Sequence, residues 1–170
     1  MSIKTRSLVG VALAVVVSAL AWAHPGQARA AATCAWGGTP TAPTGSFTIT
    51  PGLTNVPTGS PLRFVATGQL SGADRRCRGP MKWVGQIDAG STCAFASFEG
   101  AVRGLSGVAR FWGRGSLLVP SHLYDKSGNV VGIENAQIVT QRNLPTFMDC
   151  TRPGGFTGPT EFSSVVELYQ

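Results

Sequence analysis

The sequence has few of the side chains from which catalytic and metal sites are built. It contains two histidines, of which only His122 lies outside the N-terminal leader described below. Its eight acidic residues are scattered singly, so nothing marks the pair of carboxylates that glycoside hydrolysis requires. No two cysteines form a C-x-x-C pair, which disfavours a zinc site. We therefore predict no catalytic residues, no metal and no cofactor, and an enzyme is the less favoured interpretation.

The sequence also lacks any long segment with the apolar spacing of a helix, which excludes a mainly helical fold. It has instead 22 glycines and 11 prolines between short stretches of alternating apolar and polar residues. This pattern is typical of an all-β protein. We expect a single antiparallel β-sandwich, or a partly open barrel, of about seven to nine strands. The predicted strands include 46–50, 62–70, 81–88, 92–98, 108–112 and 162–169, with a glycine-rich connection at 99–105.

The longest apolar run lies near the N-terminus, from Leu8 to Ala23. Lys4 and Arg6 precede it and a small-x-small triplet ending at Ala30 follows it, as in a secretory signal peptide. The run is shorter than the roughly 20 apolar residues of a membrane-spanning helix. We predict a signal peptide over residues 1–30, cleavage after Ala30, and a secreted, extracellular domain over residues 31–170 with no stable membrane insertion.

Charged residues make up only 13% of the chain, and basic residues exceed acidic ones to give a formal net charge of +6. Three of the basic residues, Lys4, Arg6 and Arg29, belong to the predicted leader. The remaining positive charge is too small to favour a nucleic-acid partner, and an exported protein would seldom meet one.

The four cysteines all lie beyond the leader, and an even number in an exported chain predicts two disulfides. A hairpin of strands 46–50 and 62–70 would bring Cys34 and Cys77 to the same end of the molecule. A bond from Cys77 to Cys93 would instead have to cross an extended strand more than about 20 Å long, whereas a disulfide allows only about 4.4–6.8 Å between Cα atoms. The predicted disulfides are Cys34–Cys77 and Cys93–Cys150.

The centre of the predicted fold is the segment 106–140, which contains a turn at 125–128. Asp at the first position and Gly at the fourth suit a three-residue hairpin loop that pairs Asp125 with Asn129. This register places Leu123 opposite Val131 and Ser121 opposite Ile133, and it puts the apolar residues on one face. The residues predicted to share the inner face are Leu117, Val119, Leu123, Val131 and Ile133.

The opposite, outer face of this hairpin carries His122, Tyr124 and Glu134, with Arg110 or Trp112 alongside. Aromatic, charged and hydrogen-bonding groups occur together at recognition surfaces, so we predict that these five residues form a binding surface. His122 lies diagonal to Glu134 in this register, and such a pair could perform acid–base chemistry. An ordinary cross-strand pair on the surface is the favoured interpretation.

The order of Thr33-Cys34, then the segment TPGLT at 50–54, then Cys77, Cys93 and Cys150 resembles an uncharacterised group of small exported proteins of actinomycete bacteria. The resemblance covers nearly the whole chain beyond the leader. It implies export, a disulfide-braced β fold and an actinomycete origin, and it brings no known activity and no functional residues.

Two classes of function stay open from the sequence. The favoured one is a secreted, non-catalytic protein that binds a cell-envelope glycan or an extracellular protein. The alternative is a secreted hydrolase or protease inhibitor whose site the sequence does not reveal. The sequence does not decide the oligomeric state.

Overall fold

The computed structural model describes residues 30–115, 120–137, 148–151 and 153–170. Within these ranges the protein is all-β, as predicted, and no helix there is long and apolar enough to cross a membrane. The predicted leader, apart from Ala30, lies outside the described residues, as do Leu117 and Val119 of the predicted inner face.

The described strands, in chain order, are β1 (Ala30–Trp36), β2 (Gly38–Thr39), β3 (Ala42–Pro43), β4 (Gly45–Thr50), β5 (Leu62–Ser71), β6 (Gly79–Ile87), β7 (Ala96–Arg103), β8 (Arg110–Gly115), β9 (Ser121–Tyr124), β10 (Val130–Gln137) and β11 (Thr160–Tyr169). A short 3₁₀ helix (Met148–Thr151) precedes β11.

The strands of the described residues form a closed, antiparallel barrel of eight strands. Each strand from β4 to β10 pairs with the next one in the chain, and β11 pairs back with β4. The sequence favoured a sandwich or a partly open barrel. The ring closes here because β11 is hydrogen-bonded along both of its edges, which leaves no free edge between β11 and β4.

β1 and β4 together occupy one position in the ring. Trp36 of β1 pairs with Ser164 of β11, and Gly45 of β4 pairs with Phe162, two residues earlier on the same strand. The chain between them makes the small β2–β3 hairpin, and the Gly37 carbonyl accepts hydrogen bonds from Thr44 and Gly45 at its base. The sequence did not predict β1, which joins the wall of the barrel by pairing with β11 and β5.

The two ends of the barrel are each tied by a disulfide. We call the end with loops 51–61 and 88–95 the upper end, and the end with loops 72–78, 104–109 and 125–129 the lower end. Cys34–Cys77 joins β1 to a lower loop with 5.1 Å between Cα atoms. Cys93–Cys150 joins an upper loop to the 3₁₀ helix with 6.3 Å between Cα atoms. Both predicted disulfides are confirmed, and β6 does separate Cys77 from Cys93 as an extended strand.

The hydrophobic core fills the inside of the barrel. The rings of Trp83 on β6 and Phe111 on β8 stack with their centroids 4.1 Å apart. Phe111 reaches this position across two inward-facing glycines, Gly85 and Gly100, that pair with each other on β6 and β7. A Cβ atom at Gly100 would lie 2.8 Å from Cζ of Phe111 and 2.3 Å from the Val84 carbonyl. The missing side chains therefore leave the space that the ring occupies.

The strand β7 begins and ends later than the sequence predicted. Thr92 and Phe95 exchange backbone hydrogen bonds in a turn, so the residues before Ala96 are not extended. The predicted connection at 99–105 is strand as far as Arg103, paired with β6 and β8. The glycines of this segment predict a break in the strand, but Gly100 instead marks the close approach of Phe111.

Candidate functional site

The turn at the tip of the central hairpin is as predicted. The Asp125 N–H donates to the Asn129 carbonyl at 3.0 Å, and Gly128 has a φ of +88°. The Asp125 carboxylate accepts hydrogen bonds from the backbone N–H groups of Ser127 and Asn129 at 2.8 and 2.9 Å. The Asn129 side-chain amide also donates to the carboxylate at 2.9 Å, and this bond, followed by the backbone bonds, holds the pKa of Asp125 below its usual range.

A β-bulge just beyond this turn changes the predicted register. Val130 pairs with Tyr124, but Leu123 pairs with Gly132, so Val131 is an extra residue on β10. Every later side chain of β10 is therefore turned to the opposite face from the one predicted. Ile133 lies outside the barrel, opposite His122, and Glu134 lies inside, opposite Ser121. The predictions that Leu123 faces Val131 and that Ser121 faces Ile133 are wrong.

The predicted position of Glu134 on the outer face is wrong for the same reason. Its exposed fraction is 2%, and the sheet separates it from His122. The His–carboxylate pair considered for acid–base chemistry is therefore not formed. The sequence signal for the bulge is Gly132, where a Cβ atom would lie 2.4 Å from the Glu167 carbonyl. A glycine inside a strand pattern often marks a bulge or a close backbone contact.

The other four predicted site residues do lie together outside the barrel. Arg110 pairs with Tyr124, and Trp112 pairs with His122, across the β8–β9 ladder. The Arg110 guanidinium carbon lies 5.9 Å from the centre of the Tyr124 ring, and the rings of Trp112 and His122 are 6.5 Å apart. We call Arg110, Trp112, His122 and Tyr124 the outer patch.

The outer patch is accessible and continues onto β7. The exposed fraction of Trp112 is 39%, which is high for a large aromatic residue. Glu99 of β7 pairs with Trp112 and extends the patch by a carboxylate. A shallow depression of about 360 Å³ lies among Glu99, Arg110, Trp112 and Tyr124. The outer patch thus combines an aromatic surface with hydrogen-bonding groups of both charges.

The inner side of the same barrel wall holds a buried carboxyl group. Glu134 accepts hydrogen bonds from the hydroxyl groups of Ser164 on β11 and Ser121 on β9. Burial raises the pKa of Glu134 to about 7, although these two hydrogen bonds oppose the increase. The Ser164 hydroxyl also lies 3.1 Å from the Asn135 carbonyl. When Glu134 is protonated, its own O–H can donate to the Ser164 hydroxyl, and the Ser164 hydroxyl can then donate to the Asn135 carbonyl.

A cavity of about 60 Å³ adjoins Glu134 inside the barrel, and we call it the interior cavity. Ser121 and Glu134 supply polar groups to its wall, and Trp36 and Trp83 line it with two indoles 5.0 Å apart. Within the described part of the chain, the Nε1–H donors of both indoles have no hydrogen-bond partner. The interior cavity was not predicted, because its residues come from strands that are distant in the sequence.

In the described ranges, no three His, Cys, Asp or Glu side chains lie close enough to hold a metal ion. Comparison with known protein families, curated proteins and solved structures found no match for this chain.

Proposed function

We propose that the protein is a secreted, non-catalytic binding protein that holds a cell-envelope glycan on its outer patch. The observation that carries this proposal is the side-by-side position of Trp112, His122, Arg110 and Tyr124 on the paired strands β8 and β9. The strands fix the spacing of the four side chains, so the patch is organised before any ligand arrives.

The chemistry of the outer patch suits a sugar. A half-exposed indole offers a flat apolar surface for the face of a pyranose ring, while its edge and its neighbours remain polar. Arg110, His122 and Glu99 can donate to and accept from sugar hydroxyl groups around that surface. The depression beside Trp112 has room for one or two sugar units rather than for a long chain.

An extracellular protein is the other partner that the sequence allowed. A standard protein–protein interface uses about 20–30 residues on each side. The outer patch and Glu99 together comprise only five residues. The neighbouring outer positions Ala101 and Ile133 offer little more than small or apolar contacts. The glycan is therefore the partner we propose.

Export is part of the proposal. Two disulfides are consistent with an extracellular protein because the cytoplasm keeps most thiols reduced. The leader composition of residues 1–30 supports a signal peptide, and the resemblance to exported actinomycete proteins supports the same location.

The test is a binding assay with purified cell-wall preparations and a panel of soluble oligosaccharides. We expect saturable binding by the disulfide-bonded protein, and at least a tenfold loss of affinity in Trp112→Ala and in Tyr124→Ala. Phe95→Ala is the matched control, because Phe95 is another exposed aromatic residue, 51% exposed, outside the outer patch.

Three results would contradict the proposal. Equal glycan binding by the wild type and both patch variants would show that the outer patch is not the contact surface. Binding to no glycan but to an extracellular protein would favour the other partner. Turnover of a substrate in the same assay would show that the protein is an enzyme.

A further inference from the structure

We propose that the interior cavity binds a small organic ammonium ion, with Glu134 as its counter-ion. The inference does not depend on the outer patch, because the two sites lie on opposite faces of the sheet and share no side chain. It starts from a carboxyl group that lacks a charged partner.

Glu134 has only hydroxyl groups as partners among the described residues, namely those of Ser121 and Ser164. Burying a carboxylate is costly unless an opposite charge accompanies it. The titratable side chains on the strands next to β10 do not supply an opposite charge. They alternate with buried inner residues and face outward, and they are His122 and Tyr124 on β9 and Glu161, Glu167 and Tyr169 on β11. A cationic ligand would supply the missing charge.

The aromatic wall of the interior cavity is suited to such a cation. Trp36 and Trp83 lie with their ring centres 5.0 Å apart and their planes inclined by 36°, and Phe64 also lines the cavity. Indole faces attract ammonium groups through their quadrupoles, and the attraction increases when water is excluded. Phe111 covers one face of Trp83, so the ammonium ion would lie against the parts of the two indoles that remain open to the cavity, with Glu134 in the same wall.

The size and position of the interior cavity limit the ligand further. Its volume of about 60 Å³ is less than half of the roughly 150 Å³ in an engineered cavity that admits benzene. This leaves room for a few heavy atoms, the size of ethanolammonium. Ile87, Ser121 and Ala136 line the cavity at or next to the ends of β6, β9 and β10, so the cavity lies toward the upper end of the barrel.

The test is a titration of the ¹⁵N-labelled, disulfide-bonded protein with ethanolammonium, followed by the indole N–H resonances. We expect saturable shifts for Trp36 and Trp83 and none for Trp112, which lies outside the barrel and is the internal control. Ethylene glycol matches ethanolammonium in size but is neutral, and it should bind at least tenfold more weakly. Glu134→Gln should remove this preference.

The proposal would be overturned by the absence of a saturable shift with ethanolammonium, or by equally tight binding of ethylene glycol. If Glu134→Gln fails to fold, the pH dependence of the wild type provides the same test. Because the pKa of Glu134 is about 7, the ionised fraction, and with it the affinity, should increase about tenfold between pH 6 and pH 8. An affinity that does not change over this range would also overturn the proposal.

Discussion

The strands β8 and β9 present an outer and an inner surface that differ in almost every physical property. The residues of the two surfaces alternate along each strand. The outer patch is polar, aromatic and accessible to solvent. The inner surface carries Phe111, Ser121 and Leu123, each 1% exposed or less. The outer patch is built from cross-strand neighbours, whereas the inner residues meet side chains from strands across the barrel. A substitution should therefore affect binding on one surface and stability on the other.

Neighbouring residues of β8 provide the largest contrast. We expect Phe111→Ala to lower the free energy of unfolding by about 3–5 kcal/mol, because it removes a buried ring that contacts Trp83 and Phe64. Trp112→Ala should lower it by about 1 kcal/mol or less, since that side chain is partly exposed. Urea denaturation of the disulfide-bonded variants measures both. Similar losses in the two variants would contradict the inside–outside assignment of β8.

The pH dependence of stability separates Glu134 from the acidic residues outside the barrel. Its pKa increases from the usual 4.5 when unfolded to about 7 when folded. The folded state therefore binds the proton more tightly, and the free energy of unfolding should fall as the pH rises from about 4.5 to above 7. At about 1.4 kcal/mol for each pH unit, the loss is about 3 kcal/mol.

Glu134→Gln is the control for this prediction, because it keeps the size of the side chain and cannot ionise. Its stability should be nearly constant between pH 5 and pH 8. Asp74 and Asp125 act in a different range: hydrogen bonds, chiefly from Arg76 and Asn129 respectively, lower their pKa values below 3.8. Their contributions are present above that pH and are lost only in stronger acid. If the stability of Glu134→Gln falls with pH as that of the wild type does, the effect belongs to another group.

A smaller effect is expected from the glycines under Phe111. Gly100→Ala should lower the free energy of unfolding by about 1–3 kcal/mol, because the new Cβ meets both the backbone of β6 and the aromatic ring. Gly59→Ala is the matched control, since nothing lies within 4 Å of a Cβ at Gly59. Chemical denaturation of both variants makes the comparison. A Gly100→Ala protein as stable as the control would mean that the interior can expand to accept the methyl group.

The sequence predicted those features that depend on neighbours along the chain. Alternation located β4, β5, β6 and β11. The hairpin of β4 and β5, together with the separation of Cys77 from Cys93 by an extended strand, selected the disulfides. The turn at Asp125 followed from its residue types. Four of the five predicted site residues are together for the same reason, because Arg110, Trp112, His122 and Tyr124 are joined by one local ladder.

The features that depend on ring closure were not predictable in the same way. One inserted residue, Val131, moved Glu134 from the outer face to the interior, and only Gly132 hinted at it. The contact between Glu134 and Ser164 joins β10 to the strand that closes the ring. Likewise β1 has little alternation of its own, and its position is fixed by pairing with the distant β11.

The role of β11 as the closing strand has a consequence for the order of folding. Each strand from β5 to β10 can pair with the strand made just before it, but the ring cannot close until β11 pairs with β1 and β4, which are more than a hundred residues earlier. Contacts so distant in sequence are slow to form. Ser164 arrives with β11, so Glu134 is enclosed only at that step. The closing step therefore takes up part of a proton near neutral pH, and mildly acidic solution should favour it.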